Sequence, residues 1–183
     1  MRGVLLVAML AVAQAFAGDG IELPASLQQG QLVIGRAPPG TSITFEGRAL
    51  RVGTGGSFVF GLGRDAVVAT LAIRHADGRR ETRRLDVTPR EYRIERVDGL
   101  PQHTVTPDPA VAARIAAEQA RVAAARERND EREDFRGGFA QPARGRISGV
   151  YGSQRIDNGV AKAPHYGLDI AVPTGTDVTA PAP

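Results

Sequence analysis

Residues 65–87, DAVVATLAIRHADGRRETRRLDV, decide how the first half of the chain folds. Val67, Ala69, Leu71 and Ile73 alternate with Val68, Thr70, Ala72 and Arg74. That period of two marks a strand with one face inward. Asp77-Gly78 then supplies a hairpin signal, because both residue types accept the turn conformations a tight reversal needs. The returning strand places Arg83, Leu85 and Val87 on one side.

Working outward, the same texture runs from Ile21 to about Val97. QLVIGR is followed by a turn at Pro38-Pro39-Gly40, and SITFEG turns at Glu46-Gly47. ALRV leads through the loop GTGG to SFVFG, and REYRIERV closes the region. About seven short strands at this spacing predict a small immunoglobulin-like β-sandwich over residues 21–97. Arg79, Arg80, Arg83 and Arg84 read as the wet face of an edge hairpin, where charge discourages pairing between molecules. The alternative is contact with an anionic polymer.

Composition agrees with a strand-rich protein. Twenty-two glycines and 12 prolines favour short strands and many turns over a helical bundle. Aromatic residues make up only 5 % of the chain and Trp is absent, so a core must come mostly from aliphatic side chains. There is no cysteine, which excludes a thiolate metal site, a Cys nucleophile and lipid attachment through Cys. The net charge of +3 is too small to argue for nucleic acid as a partner. It is compatible with an acidic polymer such as a cell wall.

The first residues read as an export signal. Arg2 precedes the apolar run VLLVAMLAVAQAFA, and Ala15-Phe16-Ala17 fits an A-x-A cleavage pattern. The uncharged run from Gly3 to Gly18 is short for a membrane span, which needs about 20 residues. Residues 1–17 are therefore expected to be a signal peptide. No stable span is expected to remain after cleavage, and the mature chain is expected in the periplasm or cell envelope.

Residues 98–107, DGLPQHTVTP, have the composition of a linker, and the connecting segment with its helix spans 98–140. Asp108 can cap a helix that opens on Pro109, where the missing N–H of proline does no harm. The following segment is rich in Ala, Glu and Arg, which favour helix. Val111, Ile115 and Val122 form a narrow stripe that could dock on a domain, and Glu118 can pair with Arg121. A spacer helix is the preferred reading. Gly137-Gly138 ends the segment.

From Arg144 the texture changes again. GRISGVYGSQR is followed by a looser stretch, IDNGVAKAP, and then by HYGLDIAV and the turn PTGTDV. Here His165 and Asp169 lie four positions apart with Gly167 between them. In an extended strand they share a face, while Tyr166, Leu168, Ile170 and Val172 form an apolar face that reads as core. Four strand steps separate the two Cα atoms by roughly 13 Å, and a metal ion needs each donor at about 2 Å. A kink at Gly167 would close the gap. The bland reading is a hydrogen-bonded surface pair. The other histidines, His75 and His103, are remote candidates for a further donor.

These residues resemble a known family. GRISGVYGSQR, His165-Tyr166-Gly167-Leu168-Asp169 and Gly175-Thr176-Asp177-Val178-Thr179-Ala180-Pro181 are similar, in order, to the start of the catalytic domain of lysostaphin/LytM-type zinc metallopeptidases. The resemblance covers about the last 40 residues. It implies a β-sheet peptidase domain beginning at 144–183, incomplete in this chain. It also implies that His165 and Asp169 are the first two ligands of Zn2+, and that the activity is endopeptidase cleavage of peptide cross-links in peptidoglycan.

The family's third ligand and assisting histidines, from a later H-x-H motif and beyond, have no counterpart in these residues. Zinc hydrolysis needs three protein donors and an open position, so the chain as it stands is expected to be inactive. The overall expectation is a mainly β protein: sandwich, connecting α-helix, then an incomplete β-sheet catalytic domain. A non-catalytic envelope protein that binds the wall or activates other wall hydrolases is the alternative. A β-sandwich adhesion module with a chance His/Asp pair is the third reading.

Overall fold

The computed structural model describes residues 20–101 and 108–183. The expected signal peptide and His103 lie outside the described residues, as does most of the linker. The fold is mixed α/β, with several antiparallel β-sheets and one α-helix among the described residues.

Residues 65–87 contain β5 (Val68–Arg74) and β6 (Arg80–Asp86), paired antiparallel along their whole length. They belong to a four-stranded sheet whose other members are β2 (Ser42–Phe45) and β3 (Arg48–Leu50), in the order β3-β2-β5-β6. The β2–β3 reversal is made by Glu46 and Gly47, both at positive φ (46° and 79°), the geometry of a tight two-residue hairpin. A second, two-stranded sheet pairs β1 (Leu32–Arg36) with β4 (Ser57–Gly61).

Alternation buries every second residue of β1 and β5. Ala69, Leu71 and Ile73 of β5 are buried, with Leu85 from β6, Ile43 from β2, and Val33, Phe58 and Phe60 from β1 and β4. All belong to a single apolar cluster. Each fully buried Val, Leu, Ile or Phe contributes about 1.5–3 kcal/mol. Gly35 leaves room for the Phe58 ring, which occupies the space a Cβ would take. Val67, read as inward, is instead exposed, because the paired strand begins one residue later.

The last strand of the predicted sandwich goes elsewhere. β7 (Ile94–Val97) lies parallel to β9 (Gln154–Asp157), and β9 pairs antiparallel with β10 (Val160–Ala161). A three-stranded sheet, β10-β9-β7, thus joins the end of the first region to the C-terminal strands. The β9–β10 reversal uses Asn158 and Gly159 at φ 48° and 79°. This hairpin falls in the stretch read as loose. A further two-stranded sheet pairs β8 (Arg146–Gly149) with β11 (Asp169–Ala171).

α1 (Pro109–Arg126) begins as predicted. Asp108 caps it, its carboxylate accepting from the Val111 N–H at 2.9 Å. The helix stops earlier than its composition suggests, and a single 3-10 turn follows at Asp134–Gly137. None of its residues is buried, and Val111, Ile115 and Val122 are all exposed. The stripe therefore docks on nothing among the described residues. Glu118 pairs with Arg114 rather than Arg121. No helix among the described residues is long and apolar enough to cross a membrane.

The chain returns from the helix to the first sheet at two points. Arg51 donates to the Asn129 side chain and carbonyl and pairs with Glu131 at 3.4 Å. Glu133 packs its carboxylate into the space left by Gly53 and pairs with Arg136 at 2.9 Å. At the other end, Asn158 exchanges two hydrogen bonds with the backbone of Leu100 (3.0 and 2.7 Å).

Candidate functional site

A groove of about 620 Å3 lies where β7 meets the C-terminal strands. Arg93 and Glu95 reach it from β7 and its approach, Arg146 from β8, Arg155 from β9, and His165 and Asp169 from the segment entering β11. Neither half of the chain builds it alone.

A tight packing point holds the two halves in this relation. Tyr92 precedes Arg93, and its ring lies against Gly152, where a Cβ would collide with it. Gly152 has φ 85°, a conformation glycine adopts without penalty. The Arg64 guanidinium stands 4.4 Å from the Tyr92 ring centroid and donates to the Gly152 carbonyl at 2.9 Å. The Tyr92 hydroxyl donates to the Arg64 carbonyl at 3.1 Å. Tyr151 fills the space beside Gly30, and burial pushes its hydroxyl above the usual tyrosine range, with Tyr92 and Tyr166 adding to the effect.

The predicted pair does come together. The chain bends at Gly167, and His165 Nε2 stands 3.3 Å from Asp169 Oδ1. Two backbone hydrogen bonds to β9's approach fix the histidine: His165 N–H to the Ser153 carbonyl at 2.8 Å, and Gly152 N–H to the His165 carbonyl at 2.7 Å. Gly149, opposite Asp169 in the β8–β11 register, leaves the space that the Asp169 carboxylate fills. The ring nitrogen is shielded from solvent yet not aligned for a hydrogen bond. The two side chains are in contact without a directed hydrogen bond between them.

Other expectations for this segment fail. Tyr166 and Leu168 are 65 % and 59 % exposed, so the alternate face is not core. The strand starts only at Asp169, and the period-two pattern has no sheet to act on before it. After the turn at Pro173–Thr176, Val178 is exposed and the anticipated strand is absent among the described residues.

The zinc reading is overturned. Among the described residues, no group of three or more His, Cys, Asp or Glu side chains could hold a metal ion. A zinc centre needs at least three protein donors, and His165 and Asp169 provide two. His75 is not a third donor: it is buried in the first region with Nε2 3.1 Å from Glu81 Oε2. No family model matches the chain, and no curated protein matches it. The resemblance to lysostaphin/LytM-type zinc metallopeptidases is therefore withdrawn. With it go the zinc cofactor and the reading of the chain as a metalloendopeptidase that hydrolyses peptidoglycan.

What the groove offers instead is positive charge. Arg155 pairs with Glu95 at 3.1 Å, and Asp169 faces His165. Arg93 and Arg146 have no side-chain partner among the described residues. Ser148, Ser153 and Gln154 add polar groups to the lining. Sequence reasoning missed both arginines. Which side chains each arginine meets is decided by the fold and not by its neighbours in sequence.

Proposed function

We propose that this chain is a non-catalytic binding protein of the cell envelope, and that its groove takes carboxylate-bearing peptide of the wall polymer peptidoglycan. The observation that carries the reading is the pair of guanidinium groups, Arg93 and Arg146, in one groove and without a side-chain partner among the described residues. A planar guanidinium matches a carboxylate with two parallel N–H···O bonds. Both guanidinium groups are exposed and so open to an incoming ligand.

The rest of the chain fits this role. The leader pattern of residues 1–17 supports export. On this reading residues 21–97 hold an immunoglobulin-like β-sandwich, built from β1 to β6, that acts as scaffold. The single apolar cluster shared by its two sheets supports that. Residues 98–140 form a connector carrying α1, and residues 144–183 are the element that closes the groove against β7.

The test is co-sedimentation of the full chain with insoluble purified peptidoglycan. The chain is expected in the pellet at low salt, and the Arg93→Gln/Arg146→Gln variant is expected to bind at least about tenfold more weakly. Equal retention of the two proteins would refute the assignment.

A further inference from the structure

We infer a second anion-binding site, on the outer face of the four-stranded sheet, formed by Arg74 and Arg80 and suited to a phosphate group. These two arginines face each other directly across the β5–β6 pair. Like charges at such positions repel, which destabilises the pairing. Ordinary sheets avoid the arrangement or add a carboxylate.

The same hairpin shows what that compensation looks like. Arg83 is held by Glu81 at 2.8 Å and donates to the Ile21 carbonyl at 3.0 Å. Arg84 pairs with Asp86 at 3.3 Å. Arg79 lies 4.0 Å from Asp77 and 3.8 Å from Glu81. Of the basic run, Arg80 alone has no side-chain partner among the described residues, and Arg74 opposite it has none either.

Their neighbours on this face are small. Ser42 of β2 is the register partner of Arg74 on its other side, and Thr82 follows Arg80 on the same face, opposite Ala72. Ser42, Arg74, Arg80 and Thr82 are all exposed. Two guanidinium forks above two small hydroxyl residues can surround one tetrahedral oxyanion with several donors. Binding it would also relieve the repulsion. This site shares no residue with the groove.

The test is an NMR titration of the arginine side-chain N–H resonances in the full chain. Inorganic phosphate and a short polyphosphate chain are the probes, with chloride at matched ionic strength as control. Saturable shifts at Arg74 and Arg80 with phosphate, but not chloride, are expected. Arg80→Gln should weaken binding by about tenfold. The Arg93→Gln/Arg146→Gln groove variant should retain it, so this site and the groove stand or fall separately. Tighter binding per phosphate to the chain than to the free ion assigns the site to a polymer, and equal binding assigns it to a small phosphate. Without phosphate, Arg80→Gln should raise the melting temperature. Non-saturating shifts equal to those of chloride, or a lower melting temperature for Arg80→Gln, would overturn the inference.

Discussion

Tyr92 and Gly152 lie in direct contact, the ring of one covering the bare backbone of the other. One belongs to the approach of β7 and the other to the approach of β9, and these two strands run parallel beside each other. The contact therefore sets how the first region meets the C-terminal strands, and so the shape of the groove.

Gly152→Ala should disrupt that junction. It adds a Cβ where the Tyr92 ring sits and forces a side chain onto a backbone at φ 85°. Overpacking of this kind costs about 1–3 kcal/mol, and the conformational strain adds to it. Hydrogen exchange should show faster exchange in β7 and β9, with β5 and β6 protected as before. Uniform protection in the variant would contradict the role given to this contact.

Acid should weaken the first region through Glu81. Hydrogen bonds from Arg83, then from His75, hold its carboxyl below the usual glutamate range. A depressed folded value means stability present above the unfolded value, about 4.3, and lost as pH falls through the folded one. Melting temperatures against pH should show the native protein well above Glu81→Gln near neutrality. The gap should narrow in acid, below the unfolded glutamate value.

Removing the Asp108 cap should affect the helix alone. Asp108→Ala leaves the Val111 N–H without its acceptor, a loss of about 1 kcal/mol. Because α1 buries nothing, circular dichroism should report lost helicity without a change in the main melting transition.

The legible part of this fold is the part with one dry face. Ala69, Leu71 and Ile73 could be read from alternation because a single core lies behind them. The destination of β7 could not, since periodicity identifies a strand and not its partner. Asn158-Gly159 did carry a hairpin signal in its residue types, and the loose composition around it obscured that signal. The approach of His165 to Asp169 was legible through Gly167, the residue able to bend. The number of donors around that pair was not, because ligand count is a property of the assembled fold. Tyr166 and Leu168 looked like core because apolar spacing does not reveal where pairing starts.

Ionic strength should separate the groove from a merely sticky surface. Arg93 and Arg146 act through charge, and exposed charges are screened over about 10 Å at 0.1 M salt. Pelleting with peptidoglycan should fall steadily as salt rises. Binding that strengthens with salt would indicate an apolar contact instead.

The most direct test is calorimetric titration of the full chain with a soluble wall peptide in two forms, one with free carboxylates and one fully amidated. The acidic peptide is expected to bind, and amidation to weaken binding by at least about tenfold, as loss of charge-assisted hydrogen bonds requires. Equal affinity for the two forms, or no binding of the acidic one, would contradict the proposed function.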